Sequence, residues 1–120
     1  MKIAFTATGD SLNAPLDPRF GRAPGFLIYD DQEGRIEALS NVQNLNAAQG
    51  AGIQAATSLA KAGADVLITG HCGPKAFSVL QAAGIKVYLS DAKTIADAYA
   101  LFKKGALKAA EGPNAESHWV

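Results

Sequence analysis

The sequence predicts an α/β fold whose sheet is partly parallel. Three observations carry that expectation. First, two strand-like runs, Phe26 to Tyr29 and Arg35 to Ser40, flank the turn-forming stretch Asp30-Asp31-Gln32-Glu33-Gly34, as in a hairpin. Second, from Asn41 onward the apolar pattern alternates between helix and strand. That succession calls for right-handed crossovers and parallel strands. Third, Val66-Leu67-Ile68 is apolar throughout, which suits a parallel strand covered on both faces.

Taken in order, Lys2 to Ala7 reads as the first strand and ends at Thr8-Gly9-Asp10. Residues 9 to 24 form a long loop carrying Pro15, Pro18 and Pro24. Arg35 to Ser40 alternates polar and apolar residues, the pattern of a half-buried strand. A polar loop from Asn41 leads to Gly50-Ala51-Gly52 and a helix whose buried face is expected at Ile53, Ala56, Leu59 and Ala60. Gly63 stands where that helix stops, and Asp65 to Thr69 is the next strand. After Gly70-His71-Cys72-Gly73-Pro74, a helix presents Ala76, Val79, Leu80 and Ala83 and closes at Gly84. Lys86 to Leu89 is a short strand. Ile95, Ala98, Tyr99 and Phe102 mark a last helix, capped by Ser90 or Asp91 and ended by Gly105. The tail from about residue 111 reads as turn-like and is expected to be mobile. No internal repeat or linker interrupts this order, so residues 1–120 are expected to form one domain.

Composition narrows the function classes. The chain's 120 residues are enough to bury roughly two thirds of the unfolded surface, so no staples are needed. Its 11 basic and 11 acidic residues balance, which speaks against a nucleic-acid binder held mainly by phosphate contacts. A lone cysteine cannot form an internal disulfide and gives no sign of an oxidising compartment. The start MKIAFTATGD lacks the apolar core of a signal peptide, and no run approaches the roughly 20 apolar residues of a membrane span. A cytoplasmic protein with no membrane partner is therefore expected.

The turn Gly70 to Pro74 is the first candidate site. Ligands in open α/β sheets settle beyond the carboxyl ends of parallel strands, and this turn lies at such an end, just before a helix. Gly70 and Gly73 would let the backbone approach a ligand closely. Free amides at the helix start favour anions. A helix N-terminus and neighbouring His71 would lower the pKa of Cys72. Thiolate and imidazole suit copper, zinc or iron, so His71 and Cys72 are candidate metal ligands. The alternative is that Cys72 is only a small buried hydrophobe. One Cys and one His cannot close a four-ligand site, so whatever binds must bring ligands of its own or share a second subunit.

The loop Asp17 to Phe26 is the second candidate. Arg19 and Arg22 stand three residues apart there, and arginine forks hold anions well. The alternative is a structural pair between Asp17 and one of these arginines. His118, beside Trp119 in the tail, is the third candidate; the alternative is a simply solvated side chain.

At these motifs the sequence resembles the dinitrogenase iron–molybdenum cofactor biosynthesis family. The matching stretches are LDPRFGRAPGFLIYD (Leu16 to Asp30), GAGIQAA (Gly50 to Ala56), LITGHCGPKA (Leu67 to Ala76) and EGPNAESHW (Glu111 to Trp119). Together they cover nearly the whole chain. The lone cysteine in its glycine turn and the Gly-Pro-Asn tail look most like the orange protein branch found in sulfate-reducing bacteria. The resemblance implies a ribonuclease-H-like mixed sheet of five strands, order 3-2-1-4-5, with helices on its faces. It also implies a non-enzymatic binding or carrier protein for an anionic metal–sulfur cluster. The cargo would be a molybdenum–copper sulfide or an iron–molybdenum–sulfur cofactor precursor. Donor or recipient metalloproteins or an ATPase would be its partners. A cluster that supplies its own sulfides would resolve the shortage of protein ligands. In that role Arg19, Arg22, Gly70, His71, Cys72, Gly73 and His118 would line the cluster.

Two other readings compete. One is a structural or signalling domain of the same fold with no bound cluster. The other is a metal-dependent nuclease, which needs carboxylates gathered at the strand ends. Asp10 is expected near the first strand's end, but the Ile53 helix face offers only Gln54 and no acid, and Asp65 lies at the opposite end of its strand.

Overall fold

A computed structural model describes residues 1–42 and 50–112. The elements run β1 (Lys2–Ala7), β2 (Gly25–Asp30), β3 (Arg35–Ser40), α1 (Ala51–Lys61), β4 (Val66–Thr69), α2 (Pro74–Ala82), β5 (Lys86–Leu89), α3 (Ile95–Lys103) and β6 (Lys108–Ala109). The sheet order is β3-β2-β1-β4-β5-β6. β1, β4 and β5 are mutually parallel, while β2, β3 and β6 join antiparallel. The mixed sheet and the order of its first five strands agree with the expectation. The sixth strand is an addition: two residues after α3 pair with Tyr88 and Leu89. So short a strand carries no periodicity of its own.

Two apolar clusters cover the two faces of the sheet. One joins Ala4, Phe26, Ile28 and Leu67 to Ala55, Ala56 and Leu59 of α1 and to Ala76 and Leu80 of α2. The other joins Ile3, Phe5, Leu27 and Ile68 to Ile95 and Ala98 of α3. Alternation within each strand explains the division, since Ala4 and Phe5 point to opposite faces. β4 is buried along its whole length, as its unbroken apolar run predicts.

Three local expectations are corrected. α1 buries Ala51, Gly52, Ala55, Ala56 and Leu59, whereas Ile53 and Ala60 are exposed. In so alanine-rich a helix the two faces differ little in hydropathy, so a single isoleucine misleads. α3 is capped by Thr94, whose hydroxyl accepts from the Asp97 N–H at 3.1 Å, and neither Ser90 nor Asp91 fills that position. β3 is exposed along nearly all its length because it forms the sheet's outer edge, and Ile36 remains 41% exposed.

The 9–24 loop is held by the body of the protein. Ala14 and Leu16 pack in the α3-side cluster, and Phe20 packs in the opposite one. The loop therefore passes over the carboxyl edge of the sheet from one face to the other. The Leu16 N–H donates to the Lys93 carbonyl at 3.0 Å, and the Ile95 N–H donates to the Ala14 carbonyl at 3.0 Å.

Candidate functional site

The loop after β1 and the turn after β4 meet because β1 and β4 are adjacent parallel strands. Thr6 and Thr69, near the ends of those strands, are fully buried and hydrogen-bonded hydroxyl to hydroxyl at 3.0 Å. The Thr6 hydroxyl also donates to the Asp17 carbonyl, and the Asp17 N–H donates to the Thr6 carbonyl at 2.9 Å. These bonds fix where the loop turns. Beyond them the two segments zip together: the His71 N–H donates to the Pro18 carbonyl at 2.7 Å, and the Phe20 N–H donates to the His71 carbonyl at 3.1 Å. Arg19 and His71 form a parallel bridge pair.

Gly70 makes this zipper possible. A Cβ there would stand 2.9 Å from both the Cα and the carbonyl oxygen of Pro18, closer than a real side chain tolerates. The sequence points to a glycine that lets the backbone approach a ligand. In the fold, what Gly70 admits is the neighbouring loop.

The charged groups divide by depth. Asp17 is buried, accepts the Arg19 N–H at 2.9 Å, and has the Arg19 Nε at 3.7 Å. The structural pair named as an alternative is thus present. Even so, the Arg19 side chain is 51% exposed and keeps its guanidinium at the surface. Arg22 lies three residues further along the same loop and is half-buried. His71 is exposed.

Cys72 departs from expectation. It is 1% exposed and lies in the cluster that contains Phe20, Leu67 and Ala76. Burial pushes its thiol from 9.0 up to about 12. The sequence predicts the opposite, a thiol lowered by the helix start and His71. Desolvation wins because the thiolate would have to form among apolar side chains. At neutral pH Cys72 is a thiol, packed as a small hydrophobe. Gly73, the N-cap residue of α2, is buried with extended backbone, and Pro74 opens the helix. His118 and the tail beyond residue 112 lie outside the described residues.

An open cleft of about 450 Å³ lies beside the zipper. Pro18, Gly70 and His71 form one side of it, Ser90 and Asp91 lie at the end of β5, and Leu107 and Lys108 enter from the β6 segment. Neither Lys108 nor Asp91 is among the site candidates the sequence offers, Asp91 being read there only as a helix cap. The rule that selects the end of β4 applies equally to the end of β5, and following it there finds Asp91. Lys108 depends on β6 and has no such signal. Among the described residues, no three His, Cys, Asp or Glu side chains gather as a metal-binding group. No described helix is long and apolar enough to cross a membrane.

Comparison with known proteins adds a family. A family model described as dinitrogenase iron-molybdenum cofactor matches residues 1–105. The apo form of the orange protein from Desulfovibrio gigas is 47% identical and superposes with a TM-score of 0.92, covering 95% of this chain and 96% of that one. A NifB-like protein of Thermotoga, described as a member of the DUF35 family, is 33% identical with a TM-score of 0.84, covering 96% and 97%. An uncharacterised protein of Methanocaldococcus jannaschii is 34% identical over 110 residues, 90% of each chain.

Proposed function

The chain belongs to the dinitrogenase iron–molybdenum cofactor family, and on that premise we propose that it is a non-enzymatic binding or carrier protein for an anionic metal–sulfur cluster. The cargo is a molybdenum–copper sulfide or an iron–molybdenum–sulfur precursor, and the chain exchanges it with donor and recipient metalloproteins. The observation that carries this reading is the backbone zipper pairing Arg19 with His71 at the carboxyl edge of the parallel strands.

That pairing sets an exposed guanidinium and an exposed imidazole side by side on a rigid base. Lys108 across the adjoining cleft adds a third cationic or hydrogen-bonding group, against one carboxylate from Asp91. Such a rim suits an anion with its own sulfide ligands. It does not suit a bare metal ion, for which the described residues gather no ligand group. Arg19 and Arg22 would hold cluster sulfides by charge and N–H donation. His71 could meet metal or sulfide directly. The thiol of Cys72 is buried and protonated, so we assign it to packing beneath the turn.

The test is assembly. Protein incubated with tetrathiomolybdate and copper should develop visible charge-transfer bands that survive gel filtration, with molybdenum, copper and sulfide bound as a single cluster per chain. A colourless, metal-free protein after that treatment would remove the molybdenum–copper reading. The same failure with an iron–molybdenum precursor would leave the family's fold without its cargo.

A further inference from the structure

We propose that the outer edge of β3 is a docking strand for a second copy of this chain, joined by antiparallel pairing about a two-fold axis at Ile36. The inference rests on surface geometry and is independent of the cluster site.

The sheet has two ends, and they are built differently. β6 ends one side with two residues, a length that offers almost no template for pairing. β3 ends the other side with six residues, Arg35–Ser40, and is exposed along nearly all of them. An edge of that length presents a row of backbone N–H and C=O groups to any complementary strand.

Symmetry then limits the pairing. A two-fold axis perpendicular to the sheet keeps each side chain on its own face, while successive residues of a strand point to opposite faces. An exact two-fold antiparallel pair must therefore set some residue opposite itself. Centring on Glu37 sets two carboxylates directly opposite each other, which is unfavourable. Centring on Ala38 sets Glu37 opposite Leu39. Centring on Ile36 sets Arg35 opposite the partner's Glu37 and Glu37 opposite the partner's Arg35. The sequence Arg-Ile-Glu is thus self-complementary in one register.

The two faces agree with that register. Arg35 and Glu37 stand beside Asp30 and Ile28 of β2, so both ion pairs would form on the α1 and α2 side. Ile36 stands beside Tyr29 on the α3 side. There, two isoleucines, each 41% exposed, would cover one another. In the single chain Arg35 meets Glu33 at 3.7 Å, with side chains 76% and 59% exposed. The ladder is short, so the dimer should be weak and concentration-dependent.

Sedimentation velocity across a concentration series up to the millimolar range tests this with the full chain. The expected result is a monomer–dimer equilibrium. Ile36→Lys should abolish it while leaving the circular dichroism spectrum unchanged. Arg35→Glu alone and Glu37→Arg alone should each weaken it about tenfold or more, because both symmetric pairs become repulsive. Mixing those two single variants should restore association, since both acids of the first variant then face both bases of the second. A wild-type chain that stays monomeric throughout overturns the proposal. A dimer that tolerates Ile36→Lys, or single variants that fail to associate with each other, overturns this edge and register.

Discussion

The loop after β1 and the turn after β4 leave neighbouring strands at the same edge of the sheet, yet they contribute different things. The loop supplies charge: Arg19 is exposed, Arg22 is half-buried, and Asp17, which pairs with Arg19, is buried. The turn supplies a base. Gly70 admits the loop, Cys72 packs inward, and His71 faces out. The difference teaches that the turn rich in ligand-type residues is mostly structural, and the proposed cluster reading therefore rests chiefly on the exposed charge of the loop docked against it.

Substitutions can break that division, beginning with the largest effect. Gly70→Val should separate the two segments, because its Cβ would collide with Pro18 at 2.9 Å. A backbone neighbour cannot swing aside, so we expect a loss of about 1–3 kcal/mol, read as a lower denaturant midpoint. Asp17→Ala removes the buried acceptor of the Arg19 N–H, and should cost about 1–3 kcal/mol by the same measurement. If either variant keeps wild-type stability, the zipper does not hold the site.

Cys72 sharpens the comparison from the turn's side. Cys72→Ser buries a hydroxyl in an apolar cluster and should cost about 1–3 kcal/mol. Cys72→Ala should cost about 1 kcal/mol, in line with loss of a group the size of a methylene. The native thiol should resist alkylation until the chain unfolds. Its pH dependence follows from burial. The folded pKa of about 12 lies above the ordinary 9.0, so the folded state holds this proton more tightly. The contribution is fully present below about pH 9. It falls as pH rises from there toward 12, and Cys72→Ala should flatten that part of the stability profile. Rapid alkylation of folded protein at neutral pH would contradict the inward placement. On the loop side, Arg19→Gln with Arg22→Gln should shift stability least, by about 0–1 kcal/mol.

Much of this contrast is legible in the sequence, for identifiable reasons. Five strands and three helices announce themselves through periodicity and glycine stops, and the resemblance supplies the strand order. Adjacent parallel strands then imply that their carboxyl-end loops meet. The orientation of Cys72 is not legible, because no alternation extends past Thr69 into a turn. Its inward packing depends on Phe20, which arrives from a loop 52 residues earlier in the sequence, and on Ala76 in the next helix. Lys108 is hidden for a similar reason. It reaches the cleft through a two-residue strand that exists only because β5 is there to pair with it.

The most direct test of the account compares cluster retention in three proteins. Wild type, Arg19→Gln with Arg22→Gln, and Cys72→Ala are each loaded with tetrathiomolybdate and copper, passed through gel filtration, and assayed for bound molybdenum and copper and for the visible bands. The account predicts that the arginine variant folds normally but retains cluster about tenfold more weakly, whereas Cys72→Ala retains it nearly as wild type does. Full retention without the arginines, together with its loss in Cys72→Ala, would contradict it and return the site to the thiol.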